Sequence, residues 1–408
     1  MYRPSVSTQP TAPATDTDPA PRGPLLMVML GLITAIGPLS LDMYLPALPA
    51  IAGDFDVPAA QIQLSLTTCL IGLALGQLVC GPLSDRWGRR RLVIIGVGGY
   101  AVFSLLCALA PNAPALAGLR LLQGFAGGAG IVVARAIVRD LHSGRAAAKY
   151  FSRLTLIVGV APIAAPSLGG AVLTVTSWPG IFVALGLIAL LVTLLIAVRL
   201  PETLPPQRRS TGGLRATARA ARGLFQDRIF LGYALAQAFA FAALFGYISG
   251  SSFVLQDGYG LSPTTFGVIF GLNACGLVVL SQANGKLLDR FPPRRLLLTS
   301  LSTQAIAGVT VLVAAVAGSL PVLIAGLFLL VGAIGMVMPN STALALDRHP
   351  ERAGTAAALL GGLQSVVAAL AAPLVGFGDP GLGLPMALAI LSFALVALLS
   401  VLVLARRG

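Results

Sequence analysis

Gly81-Pro-Leu-Ser-Asp85-Arg86-Trp-Gly-Arg-Arg-Arg91-Leu92 returns, 204 residues further on, as Gly285-Lys-Leu-Leu-Asp289-Arg290-Phe-Pro-Pro-Arg-Arg295-Leu296. Each copy is a short charged break between long apolar runs. Asp140 and Asp347 stand 207 residues apart, as do Pro166 and Pro373, so the register holds with a small insertion. One half of the chain duplicates the other.

The runs around these breaks are about 20 residues long, enough for a helix to cross the hydrocarbon layer. Twelve are predicted: 25–45, 61–83, 92–110, 115–138, 150–175, 179–199, 229–255, 263–287, 296–318, 321–345, 355–377 and 382–404. Composition agrees, since 56% of the 408 residues are hydrophobic and 10% charged, with a mean hydropathy of +0.90. A soluble domain does not carry such values. The expected fold is an all-α membrane protein of twelve transmembrane helices in two pseudo-symmetric six-helix bundles, residues 25–200 and 229–405.

The net charge of +13 raises nucleic acid as a partner, but the arginines lie scattered in the breaks between spans instead of in one stripe. They report topology. With an even number of spans and both ends inside, all but Arg120 and Arg135 of the 27 Lys and Arg fall on the cytoplasmic side, while the outer loops offer Asp54, Asp56, Asp257 and Asp379. Residues 1–24, rich in Pro, Thr and Ala, read as a disordered cytoplasmic tail rather than a cleavable signal. Residues 201–228, with Pro201, Pro205, Pro206 and six arginines, read as a cytoplasmic linker, solvated or lying on the anionic leaflet. Cys69, Cys80, Cys107 and Cys275 fall inside spans without metal-ligand spacing and read as packing residues.

Because six is even, the two halves share one orientation and are related by an axis along the membrane normal. This is the arrangement of bundles that rock about a midplane site, so alternating access is expected. Asp42 is the only acidic residue in the middle of a predicted span. Hydrocarbon penalises the charged form of a carboxylate, which makes Asp42 the candidate proton site. Asp42 lies 20 residues past Arg22 and Arg120 lies 19 before Arg139, so the two reach similar depth and are expected to pair across spans one and four. In that reading protonation of Asp42 releases Arg120, and proton and substrate compete. The alternative is that both residues only hold the bundle together.

The 81–92 segment resembles the loop signature of the major facilitator superfamily, G-x-L-x-D-R-x-G-R-R. Arg120-Leu-Leu-Gln123-Gly124, Pro166-Ser-Leu-Gly169-Gly170 and Asp42-Met-Tyr-Leu-Pro46-Ala-Leu-Pro49 are similar to segments of its drug:proton antiporter branch. The Asp-Met-Tyr-Leu-Pro run, Ala134-Arg135-Ala-Ile-Val-Arg139-Asp140 and Tyr247-Ile-Ser-Gly-Ser-Ser-Phe253 resemble the bicyclomycin/chloramphenicol-resistance (Bcr/CflA) group. That resemblance implies multidrug efflux. It also implies a gating network of Asp85, Arg86, Arg89 and Asp140 at the inner ends of spans two and four, beside their topological role. Ala161 and Ala165 stand where the span-five signature has glycines, and Pro292 replaces the loop glycine in the second copy.

Tyr44, Gln123, Phe241, Phe245, Tyr247 and Asn273 supply stacking surface and polar anchors for an amphipathic ligand and are the candidate substrate-binding residues. The run Gly124-Phe-Ala-Gly127-Gly128-Ala-Gly130 lies within an apolar span, with neither a preceding strand nor a following Lys-Ser/Thr, so it reads as close helix packing instead of a phosphate loop. Pro162 and Pro166, with Gly169 and Gly170, mark span five as a bending element.

An enzyme is disfavoured, because the two histidines, His142 and His349, lie in loops and no hydrolase motif occurs. A phosphate loop for an ATP-driven pump is missing as well. The expected function is proton/drug antiport in the bacterial inner membrane, driven by the proton gradient without a cofactor. The expected partners are a drug-like small molecule, protons and the lipid bilayer, with no nucleic acid and a monomeric state. The rival is an exporter or proton symporter for a small metabolite such as an amino acid or sugar. A charged metabolite calls for more buried charge than one aspartate and one or two arginines supply.

Overall fold

The structure, a computed structural model, describes residues 24–141, 144–205, 224, 226–348, 353–376 and 383–405. The tail expected at 1–24, but for Pro24, and most of the linker at 201–228 lie outside the described residues, as do His142, His349 and Asp379.

Among the described residues twelve long helices run in the order α1 (Pro24–Asp42), α2 (Ala59–Trp87), α3 (Arg89–Cys107), α4 (Ala113–Leu141), α5 (Gly144–Val175), α6 (Pro179–Arg199), α7 (Arg228–Phe253), α8 (Pro263–Leu287), α9 (Pro293–Ala317), α10 (Leu320–Asp347), α11 (Ala353–Gly376) and α12 (Leu384–Leu404). There is no strand among the described residues. Ten helices among the described residues are long and apolar enough to cross a membrane; α5 and α11 hold the shorter apolar stretches Val160–Val175 and Leu359–Ala371. The outer faces of the helices carry exposed apolar side chains that a bilayer covers, among them Leu191, Val198, Val316 and Val403.

Local chemistry sets the helix ends. Asp227 caps α7 by accepting from the Ile229 and Phe230 N–H groups, and Ser262 caps α8 by accepting from Thr265 N–H. The α-helical part of α1 stops at Asp42. Pro46 and Pro49 then convert the chain to a 3-10 turn, Leu45–Ala47, and a short helix, Leu48–Asp54. The first span therefore bends just beyond its buried carboxylate.

The duplication is visible in the packing. A Cβ on Gly128 of α4 would meet Leu73 O and Gln77 N of α2, and one on Gly335 of α10 would meet Leu277 O and Ser281 N of α8. Those partners carry the same 204- and 207-residue offsets as the sequence repeat. Gly72, Gly76 and Gly124 also lie against backbone across the α2–α4 crossing, so the glycine-rich run is a helix-packing surface. Arg90 donates to Ala197 O at the end of α6 (2.7 Å), and its counterpart Arg294 donates to Ala405 O just past α12 (3.2 Å). The loops themselves differ: Gly88 enters α3 at φ +96°, a conformation that favours glycine. The second copy enters α9 through Pro292 and Pro293, with proline's fixed φ suited to a first helical turn.

Candidate functional site

Arg120 is fully buried on α4. Its Nη2 donates to Ser40 O (2.9 Å) and its Nη1 to Ser40 Oγ (3.1 Å) and to Gln123 Oε1. The guanidinium lies over the Tyr44 ring at 4.7 Å and faces Phe182 at 5.7 Å. Gln123 Nε2 continues the chain to Ser104 Oγ (2.7 Å), which donates to Tyr100 O. Tyr44 shares a hydrogen bond with Ser65 (2.9 Å). A carbonyl, a hydroxyl, an amide and two aromatic faces thus disperse a charge that has no carboxylate against it among the described residues.

The expected Asp42–Arg120 pair is not formed. Similar depth fixes only the axial coordinate. Ser40 and Asp42 are two residues, or about 200°, apart around α1, so the face that meets Arg120 turns Asp42 away. Tyr44 and Gln123, expected on a cavity wall, are instead fully buried holders of Arg120. Phe182, Ser40, Ser65 and Ser104 complete this cluster and were not legible as site residues.

Asp42 lies where the halves meet. Hydrogen bonds tie the halves together at the end remote from the arginine-rich loops. Ser252 Oγ donates to Leu45 O (2.6 Å), Gln256 Nε2 to Pro46 O (3.2 Å), Gln63 Nε2 to Ser249 O (3.1 Å), Thr67 Oγ1 to Ala369 O (3.2 Å) and Ser167 Oγ to Gly267 O (3.2 Å). Glycines let the backbones approach: a Cβ on Gly267 would meet Pro166 O, one on Gly271 Ile163 O, and one on Gly170 Pro263 O, while Gly169 lies against Met43 O. The segment expected to bend, with Pro162 and Pro166 inside α5, is thus clasped between α1 of its own half and α8 of the other. Asp42 itself is 6% exposed, and among the described residues no hydrogen bond or ion pair reaches it.

Across the interface, Asn273 Nδ2 donates to Tyr247 Oη (3.0 Å), and Tyr247 stacks on Phe270 at 5.2 Å, with Phe266 beyond it. Of the remaining candidates, Phe245 is buried in the core and Phe241 is half-buried beside it.

At the arginine-rich end, Arg89 joins Asp85 (2.6 Å) and Asp140 (2.8 Å) and donates to Ser84 Oγ. Arg86, expected in this network, points outward and is exposed. Its place is taken by a residue the sequence reading passed over. Glu202 Oε1 accepts from the backbone N–H of Arg89 (2.8 Å), Thr203 (3.0 Å) and Leu204 (3.0 Å), and Thr203 Oγ1 donates to Asp140 (3.4 Å). A carboxylate just beyond a span, among arginines, was the available signal. In the second half Asp289 is exposed, and Arg348 pairs with Asp227 (2.9 Å) at this end.

Two duplicated six-helix halves, closed on each other at one end, with a buried carboxylate at their junction and a charged network at the other end, define a multi-pass membrane transporter. The chain belongs to the Major Facilitator Superfamily, whose family model matches residues 30–372. It is 42% identical over 357 residues, 87% of this chain and 89% of the relative, to "Uncharacterized MFS-type transporter YdgK" of Bacillus subtilis (strain 168). It is 32% identical over 353 residues, 86% and 88% of the two chains, to "Bicyclomycin resistance protein homolog" of Haemophilus influenzae. "Multidrug resistance protein MdtL" of Escherichia coli is 29% identical, with 88% and 91% covered. A solved bacterial homolog of the human lysosomal transporter Spinster shares the fold, with a TM-score of 0.79 at 17% identity over 94% of this chain and 97% of that one.

Proposed function

We propose that this protein exports small amphipathic compounds, antibiotics among them, across the bacterial inner membrane by alternating access, in exchange for protons. The observation that carries the reading is Asp42, a buried carboxylate without a partner at the junction of the halves. Ionised in hydrocarbon it is costly, and neutralised by a proton it is not, so its occupancy biases which arrangement of the halves is stable. The names of the relatives in Haemophilus influenzae and Escherichia coli support drugs as the cargo. So does the engagement of Arg120 inside its own half, which leaves little fixed charge at the junction for a charged metabolite. In this reading the arginine-rich loops and both termini are cytoplasmic, Asp85, Arg89 and Asp140 latch the inner end, and α5 bends. The protein works as a monomer, without cofactor or catalysis, on the proton gradient alone.

The test is drug uptake by inverted membrane vesicles energised with a proton gradient. Gradient-dependent uptake is expected in the wild type and is lost in Asp42→Asn. Undiminished coupled uptake in the variant moves the proton site elsewhere, and gradient-driven uptake of amino acids or sugars but of no drug overturns the choice of cargo.

A further inference from the structure

The hydrogen bonds that join the halves end on two kinds of carbonyl. In an α-helix the oxygen of each residue accepts from the N–H four residues on, and a proline at that place has none to give. Leu45 is followed four residues on by Pro49, and Ala369 by Pro373. Ser252 Oγ reaches Leu45 O from α7 (2.6 Å), and Thr67 Oγ1 reaches Ala369 O from α2 (3.2 Å). The exchange is reciprocal: the first half offers Leu45 O to the second, and the second offers Ala369 O to the first.

The break after α1 repeats the pattern one residue further. Its 3-10 turn closes with Ala47 N–H on Tyr44 O (3.0 Å) and Leu48 N–H on Leu45 O. The next bond of that ladder would run from residue 49 to Pro46 O, and Pro49 cannot make it. Gln256 Nε2 donates to Pro46 O instead (3.2 Å), and its second N–H goes to Ser252 Oγ (2.7 Å), whose own proton goes to Leu45 O. Gln256 stands in a π-helical turn, Val254–Gly258, that follows α7.

The crossing of α5 and α8 is of the other kind. Ser167 Oγ ends on Gly267 O (3.2 Å), and the residue four places on is Gly271, which carries an N–H. That oxygen keeps a donor within its own helix whether or not the halves touch. A carbonyl freed by proline inside a membrane depends on the polar side chains of neighbouring helices, and a buried carbonyl left without a donor costs free energy.

Building on alternating access, we propose that the outer gate of this transporter is made of these proline-freed carbonyls, with Thr67, Ser252 and Gln256 as the residues that hold it shut. Opening the outer end takes the side-chain donors from Pro46 O and Ala369 O and leaves Leu45 O with its 3-10 bond alone. The α5–α8 crossing parts with its helical bonds intact. Pro49 and Pro373 therefore set the preference for a closed outer end by the N–H they lack, and the opposite half supplies what is missing.

Pulsed dipolar spectroscopy tests this, with spin labels at Ser177 and Ala317, exposed positions at the outer ends of the first and second half. The protein is held in nanodiscs with its native cysteines replaced by alanine. The readout is the ratio of the long, outer-open distance to the short one. Thr67→Val and Ser252→Ala are each expected to raise it about fivefold, the worth of one neutral hydrogen bond. Ser167→Ala removes a bond as long as that of Thr67, but from an oxygen with its own helical donor, and is expected to change the ratio less than about twofold. Pro373→Ala gives Ala369 O an N–H of its own helix, so adding Thr67→Val to it is expected to do no more than Ser167→Ala does. A Thr67→Val shift of equal size in the Pro373 and Pro373→Ala backgrounds overturns the proposal. Equal shifts in Ser167→Ala and Thr67→Val overturn it as well, and so does an unchanged ratio in Thr67→Val and Ser252→Ala. The measurement uses neither drug nor proton gradient, so failure of the gate leaves the export reading standing, and failure of drug uptake in vesicles leaves the gate standing.

Discussion

Arg120 donates to the carbonyl oxygen of Ser40 at 2.9 Å, which ties α4 to α1 two residues ahead of Asp42. The arginine fixes the azimuth of α1 and so decides which way the carboxylate faces. Its guanidinium does this with several donors at once, a geometry a point charge cannot copy.

Arg120→Ala is expected to leave Ser40 O and Gln123 Oε1 buried without a donor, at a cost of about 3 kcal/mol. Thermal unfolding of the purified protein in detergent reads this as a lowered Tm. Arg120→Lys recovers part of the stability, because it keeps the charge, but not transport, because the fork that orients α1 is gone. Equal transport by Arg120→Lys and wild type would remove the orienting role.

Proton and cargo meeting at one carboxylate fixes the sign of a pH effect. Lowering the pH fills Asp42 with a proton, so dye affinity for the wild-type protein falls as the pH drops. In Asp42→Asn the position is neutral at every pH, and the affinity is flat. Fluorescence polarisation of a bound dye, titrated across the pH range in which the protein stays folded, checks both slopes. A wild-type slope that persists in Asp42→Asn assigns the competition to another group.

The twelve spans and their duplication were legible because length and apolarity are properties of segments, and segments are what a sequence displays. The loop repeat even located its own structural echo in Arg90 and Arg294. Pairings were another matter. Counting residues from the membrane surface put Asp42 and Arg120 at one depth, but depth says nothing of direction around the helix, and Ser40 held the facing position. Glu202 escaped because its role is made by a turn that folds back on the α3 entry, a contact with no period. The break after Asp42 was signalled by Pro46 and Pro49, yet the predicted span ran through it to residue 45.

The matched glycines offer a test of the duplication as an energetic fact. Gly128→Ala and Gly335→Ala each drive a methyl into a backbone carbonyl, Leu73 O in one half and Leu277 O in the other. Overpacking of this kind costs about 1–3 kcal/mol, and the two variants are expected to lose similar amounts of thermal stability. Gly118→Ala and Gly361→Ala, where a Cβ meets nothing within 4 Å, are the controls and are expected to keep the wild-type Tm or raise it slightly. A large loss in one half with none in the other would mean that the crossings are not equivalent.

Glu202 joins the first residues beyond α6 to the entry of α3, because one carboxylate oxygen accepts from Arg89, Thr203 and Leu204. The N-terminus of a helix favours negative charge, and a capped N–H is worth about 1 kcal/mol. Arg89 is held by this contact through its backbone and by Asp85 and Asp140 through its side chain. Loosening the first therefore loosens the second. Glu202→Ala is expected to change the maximal rate of dye transport about fivefold, the kinetic equivalent of that contact, and to leave the concentration for half-maximal rate unchanged, since Glu202 lies at the opposite end of the bundle from Asp42. Glu202→Gln keeps an accepting oxygen without the charge and should fall between the two. Initial rates over a range of dye concentrations separate the outcomes: a shift in the half-maximal concentration would place Glu202 in recognition instead of in the latch, and no shift in either quantity would reduce it to a local helix cap.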